Sequence, residues 1–214
     1  MTQATQSPIT LERFAQGKTF QEYLDSGIRN RELFEQNYEK LEMTPEQVAA
    51  LKELAGREDG PRRLAVIGED WCPDVYRGMP VAARIAETMG IEMRVFERDQ
   101  NKDLIQAYLN NGEFESIPVF VFFDGEHNEI CHFIERPQKA NDEMHLLRGV
   151  IKQVTPEALA RELGHEPTED EIKAARAEAR KAYIEWQQGE VWASWRVATV
   201  DEVIELLRSS LRAG

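Results

Sequence analysis

The strongest constraint on this chain is the order of hydrophobic patterns between Leu64 and Val154. Leu64-Ala65-Val66-Ile67 is a short apolar run ending at Gly68, the pattern of a buried strand. Residues 73–89, "PDVYRGMPVAARIAETM", follow a helical period with a proline inside it. Ile91 to Phe96 alternates as a strand, and residues 103–110 predict a helix stopping near Asn111-Gly112. "IPVFVFFDGEHNEICHFIE" predicts two strands turning around Asp124-Gly125, and a helix is expected from about Lys139 to Val154. The order is strand-helix-strand-helix-strand-strand-helix. A helical crossover makes the first two strands parallel and right-handed, whereas the last two form an antiparallel hairpin. The expected product is an α/β fold: a mixed four-stranded core sheet flanked by helices.

Helical extensions flank this core. Thr19-Phe20-Gln21-Glu22 and Thr44-Pro45-Glu46-Gln47 match capping boxes, the second with proline at the first helical position. Leu33, Phe34, Tyr38 and Leu41 recur at helical spacing between them. Beyond Thr155, Thr168-Glu169-Asp170-Glu171 caps a long charged helix. A last helix is expected to start at a Thr199 cap with Glu202 three residues on, after Trp192 and Trp195, which are expected to pack inward. Three regions result: a helical extension over 1–60, a core over 61–154 and a second helical extension over 155–214.

Composition narrows the function classes. With 39 acidic against 26 basic residues the net charge is −13, which repels phosphate backbones. No basic patch offsets it, because Lys173, Arg176 and Arg180 alternate with acids. No nucleic-acid partner is expected. Mean hydropathy is −0.54, no apolar run reaches the roughly 18 residues of a membrane span, and "MTQATQSPITLERF" has no secretory pattern. The expectation is a cytoplasmic protein without a membrane partner. Cys72 and Cys131 are 59 positions apart, and His127, His132, His145 and His165 lack ligand spacing. Neither a metal nor a cofactor is expected.

Within this frame, Trp71-Cys72 closes the first core strand, Pro80 follows Cys72 by eight residues, and Ile117-Pro118 opens the third strand. These residues, with "ERDQNKDLIQAYLNNGEFESIPVFVFF" leading into the third strand, resemble the thioredoxin superfamily over about residues 61–150. "SPITLERFAQGKTFQEYLDSGIRNRELFEQNY" and the later "RPQKA" are similar to a bacterial branch that carries a helical N-terminal extension and W-C-x-D instead of W-C-x-x-C. The resemblance implies that Cys72 is the attacking cysteine and that Pro118 follows a cis peptide. It further implies that Trp71, Pro73, Asp74, Ile117 and Pro118 form the surface on which a peptide is bound, Ile117 by strand-like hydrogen bonds. Implied partners are protein thiols or disulfides and a low-molecular-weight thiol.

Physics assigns these residues further properties. A cysteine at a helix start faces unpaired N–H groups and the positive dipole end, which can bring a thiol pKa to roughly 3.5–7.5. Pro73 suits the first helical turn. Asp74 complements the dipole yet opposes a thiolate, so Cys72 is expected to be less acidic than a thiol ringed by Lys or Arg. Arg77 is close in sequence but falls on another helix face.

Two departures from the thioredoxin pattern matter. The family's second cysteine is replaced by Val75, and its buried acid, six residues before the attacking cysteine, by Val66. Cys131 is expected opposite Val121, roughly 10 Å down the sheet at about 3.3 Å per residue and two strands away from Cys72. That exceeds the Cα spacing of about 7 Å that a disulfide tolerates, so Cys131 is expected to be a small sheet residue. The residues thus favour a monothiol thiol-disulfide oxidoreductase relying on an external thiol. The alternative is a non-enzymatic thioredoxin-fold module that binds proteins through the same groove and its helical additions. A peroxide-reducing or thiol-sensing protein would need an activating Arg or Thr beside Cys72.

Overall fold

The computed structural model of the chain describes residues 7–148 and 154–213. It forms two compact units, one running to Pro137 and resuming at Arg196, the other covering residues 138–195. These packing units follow different boundaries from the three sequence regions.

Four helices open the first unit: α1 (Leu11–Ala15), α2 (Phe20–Asp25), α3 (Arg31–Glu39) and α4 (Pro45–Gly56). The Thr19–Glu22 and Thr44–Gln47 capping boxes form as the sequence predicts, each satisfying two orphan N–H groups. The apolar stripe of α3 buries Leu33 and Phe34, with Leu41 just beyond, as an isolated helix of this length would require.

The core follows as β1 (Arg63–Gly68), α5 (Pro73–Met89), β2 (Glu92–Glu97), a 3₁₀ turn over Arg98–Gln100, α6 (Lys102–Ile105), β3 (Val119–Phe123) and β4 (Glu129–Ile134). The sheet order is β2-β1-β3-β4, with β1 and β2 parallel and the other pairs antiparallel. The mixed four-stranded sheet flanked by helices is therefore the fold of this chain. All five residues of β3 are buried, as are Leu64 to Ile67 of β1, which explains their unbroken apolar runs.

Three expectations change. The helix predicted over 103–110 ends at Ile105, because Ala107 and Tyr108 donate their N–H groups three residues back, to Leu104 and Ile105, in 3₁₀ fashion. Cys131 pairs with Phe122 and not Val121, because an irregularity between Phe122 and Phe123 shifts the hairpin register. Thr199 does not start a helix: it lies buried inside one continuous helix, α10 (Glu190–Ala213). The local Thr-x-x-Glu pattern loses there to helix propagation from Glu190.

The second unit contains α7 (Gln138–Arg148), α8 (Pro156–Leu163), α9 (Glu169–Trp186) and the first turns of α10. The predicted extension of α7 toward Val154 crosses residues 149–153, outside the described residues. Trp192 and Trp195 are buried, packed at ring centroid distances of 5.8 and 5.4 Å from Trp186. Trp195 Nε1 donates to the Glu143 carboxylate at 2.7 Å.

Burial raises the Tyr23 and Tyr108 hydroxyls well above their ordinary range and pushes the Cys131 thiol up to about 12. Each folded value exceeds the unfolded one, so their stabilising contribution is complete below the unfolded pKa values of about 8.5 and 10 and is lost as pH rises toward the folded values. Urea-unfolding midpoints should hold steady from pH 6 to 8 and fall between pH 9 and 11. A midpoint unchanged or increasing to pH 11 would contradict this assignment.

Candidate active site at Cys72

Cys72 is the N-cap of α5, with extended backbone (φ −83°, ψ 125°) and Pro73 in the first turn. Its carbonyl accepts from the N–H groups of Val75 at 3.0 Å and Tyr76 at 3.1 Å, which locks the turn. The Sγ donates weakly to the Ile117 carbonyl, 3.8 Å away. The Ile117–Pro118 peptide is cis. Chain topology explains the meeting. The end of β1 delivers Cys72 to the same sheet end at which the antiparallel β3 begins, since Ile67 pairs with Val119.

A glycine permits the close packing of these two segments. A Cβ on Gly78 would lie 3.0 Å from Pro118 Cγ and 3.5 Å from Phe120 Cζ, so α5 rests against Pro118 with little room for a side chain there. Trp71 is 43% exposed beside the thiol, and the Arg98 guanidinium sits 5.2 Å from its ring centroid.

Asp74 is held in ion pairs. One carboxylate oxygen lies 2.8 Å from Arg77 Nη2 and the other 2.8 Å from Arg136 Nη2. Arg77 is 1% exposed, and Arg136 also contacts Glu135. The backbone N–H of Glu135 in turn donates to the Pro118 carbonyl at 2.7 Å.

The thiol pKa is raised. Burial is the main cause and the Asp74 charge the second; the N–H groups of Val75 and Asp74, with Arg136, pull the other way and lose. The helix start therefore does not make Cys72 acidic. Beneath it the site is apolar, because Val75 and Val66 are fully buried and Val75 packs on Gly68, where an added Cβ would come within 2.8 Å of it. Both cysteines are free. With Cys131 opposite Phe122, four residues along β3 from Pro118, it lies about 13 Å from the site along the sheet.

The structure thus brings Cys72, Ile117 and Pro118 together, keeps Trp71 and Pro73 beside the thiol, and turns Asp74 to two arginines. The roles of Arg136, Gly78 and Arg98 were not read from the sequence. The i,i+3 spacing of Asp74 and Arg77 was a usable signal, whereas the partners Arg136 and Pro118 are distant in the chain. Among the described residues no group of three or more His, Cys, Asp and Glu is placed to hold a metal ion, and no helix is long and apolar enough to cross a membrane.

Comparison with known proteins bears on the fold. The family model Thioredoxin_9, described as thioredoxin, matches residues 17–153. A crystal structure of a protein of unknown function from Pseudomonas aeruginosa is similar at 19% identity and a TM-score of 0.60, covering 92% of this chain and 95% of that one. An HIV epitope-scaffold structure is similar at 19% identity and a TM-score of 0.60, covering 92% of this chain and 96% of that one. No curated protein matches the chain. The two structures support the fold, and the family match spans well over half of the chain. The chain belongs to the thioredoxin family described by this model, within the thioredoxin superfamily.

Proposed function

We propose that the protein is a monothiol thiol-disulfide oxidoreductase of a reducing, cytoplasmic compartment, with Cys72 as its nucleophile. The observation that carries this reading is the placement of one partly exposed thiol at a helix start, against Ile117 and Pro118, with no second thiol within reach. In the first step the Cys72 thiolate attacks a protein disulfide. A bond forms between Cys72 Sγ and one substrate sulfur, and the other substrate sulfur leaves as a thiolate. In the second step the thiolate of an external low-molecular-weight thiol attacks the mixed disulfide, taking the substrate sulfur and returning Cys72 as a thiolate. Trp71, Pro73, Asp74, Ile117 and Pro118 flank the bound peptide in this reading.

Burial holds back the thiolate, so the first step should accelerate with alkalinity. Alkylation of Cys72 by iodoacetamide is expected to rise steadily from pH 7 to above 9, with Cys72→Ser removing the signal. Incubation with a disulfide-bearing peptide should give a mixed disulfide that persists until a small thiol is added. A Cys72 no more reactive than the buried Cys131 at every pH would refute the exchange reading.

One observation favours a second reading, a non-enzymatic module that binds proteins: the thiol is raised and not lowered. That reading requires Cys72→Ser to retain full affinity for a partner peptide, with no mixed disulfide formed by the wild type.

A further inference from the structure

Four charged side chains meet beside the start of α5. From α5 come Asp74 and Arg77; from the segment after β4 come Glu135 and Arg136, giving two carboxylates and two guanidiniums in contact. Other charges nearby have partners of their own, and the buried Arg196 of α10, which feels the charge of Arg77, donates to the Asn37 side chain at 2.9 Å. In the loop between β1 and α5, Glu69 accepts the Asp99 N–H at 2.7 Å and Asp70 accepts the Arg29 N–H at 2.6 Å. After β2, Arg98 lies over Trp71 and pairs with Asp99 at 2.7 Å. Before β3, Glu115 pairs with Lys102 at 2.7 Å.

We propose that Asp74 is a positioning residue: its two oxygens hold Arg77 and Arg136, one each, and thereby fix how much positive charge Cys72 meets. Asp74 is only 14% exposed and Arg136 19%, so their interaction is weakly screened and the pair is geometrically constrained. With Asp74 ionised, its negative charge offsets one of the two guanidiniums and opposes the thiolate alongside burial. Without that charge the same residues gain one positive charge, and Arg136 keeps only Glu135 of these two carboxylates. The same contact joins the thiol turn to the Pro118 segment, because Glu135 and Arg136 leave β4 where the Glu135 N–H meets the Pro118 carbonyl. Asp74 is thus both a brake on the thiolate and a tie across the site.

The inference deepens the exchange reading, yet it is read by alkylation, which needs no disulfide partner and can succeed where exchange fails. The experiment follows the pH dependence of alkylation with neutral iodoacetamide, using Cys72→Ser as background. Asp74→Asn should lower the midpoint by about one pH unit and raise the rate at pH 7 about tenfold. Arg136→Met should do the reverse, slowing alkylation several-fold, and Asp74→Asn with Arg136→Met should fall between the two. Iodoacetate run in parallel separates thiol ionisation from attraction of an anionic reagent, because only the latter discriminates between the reagents. Midpoints that stay at the wild-type value in both single variants, with thermal unfolding shifted or not, would reduce Asp74 to a helix-end acid and overturn the proposal. Should Asp74→Asn fail to fold, Asp74→Ser and the opposite-sign arm at Arg136 decide it.

Discussion

Val75→Cys is expected to free the protein from its external thiol. Val75 N–H donates to the Cys72 carbonyl at 3.0 Å, closing one turn. Such closure keeps the two Cα atoms within about 7 Å, inside the range of about 4.4–6.8 Å that most disulfides span. A cysteine at this position attacks the mixed disulfide intramolecularly. Well-oriented intramolecular reactions reach effective molarities on the order of 10⁵–10⁸ M, so even a small fraction of that exceeds any millimolar thiol in solution. A reporter peptide held on Cys72 should leave at least about a hundredfold faster than from the wild type when no external thiol is present. The variant should finish the cycle with a disulfide between Cys72 and the introduced cysteine, two mass units lighter. Retention of the reporter on Cys72 for as long as in the wild type, with the introduced thiol still free, would contradict the geometry given to the α5 start. The side chain replaced is fully buried against Gly68, so the smaller cysteine costs some packing, on the order of 1 kcal/mol.

Gly78→Val is expected to be the most damaging single change at the site. Its Cβ would start 3.0 Å from Pro118 Cγ, and the two branch methyls must go between Pro118 and Phe120, both packed on α5. Overpacking of this kind costs about 1–3 kcal/mol, or roughly 2–4 °C of melting temperature for each kcal/mol in a protein of this size. Gly78→Ala is the informative control. It regains up to about 1 kcal/mol of helix propensity while making only one tight contact with the end of a proline ring, so its net effect should be small. In the valine variant the urea midpoint should fall, and the alkylation rate of Cys72 should change with it as Pro118 is displaced. A valine variant as stable as the wild type, with the same Cys72 rate, would show that α5 and Pro118 do not pack this way.

Local pattern carried much of this architecture. Apolar runs and helical periods placed β1, α5, β2 and the β3–β4 hairpin, and Thr19, Thr44 and Thr168 marked helix starts because a cap is a short-range hydrogen bond. The same short-range rule failed at Thr199, where burial within α10 outweighed the cap pattern. It failed again after Ile105, where the helical spacing of the apolar residues persists but the backbone tightens to 3₁₀ turns. The hairpin register slipped by one residue at Cys131, since a bulge leaves no mark in the alternation until the partner strand is known.

By itself, the sequence determined which thiol stands at the start of the first core helix and that Val75 and Val66 deprive it of a resolving cysteine and a buried acid. Those are identities at fixed positions, and no folding can alter them. Only the tertiary structure decided what surrounds that thiol. Arg136 reaches Asp74 from 62 residues away, and Gly78 makes room for a proline 40 residues further on. The ionisation of Cys72 followed the same division: a helix start alone would lower it, but burial and the Asp74 charge raise it against the pull of Arg136. Desolvation and charge pairing depend on which distant segments fold over a group, and that information exists only once the chain has closed on itself.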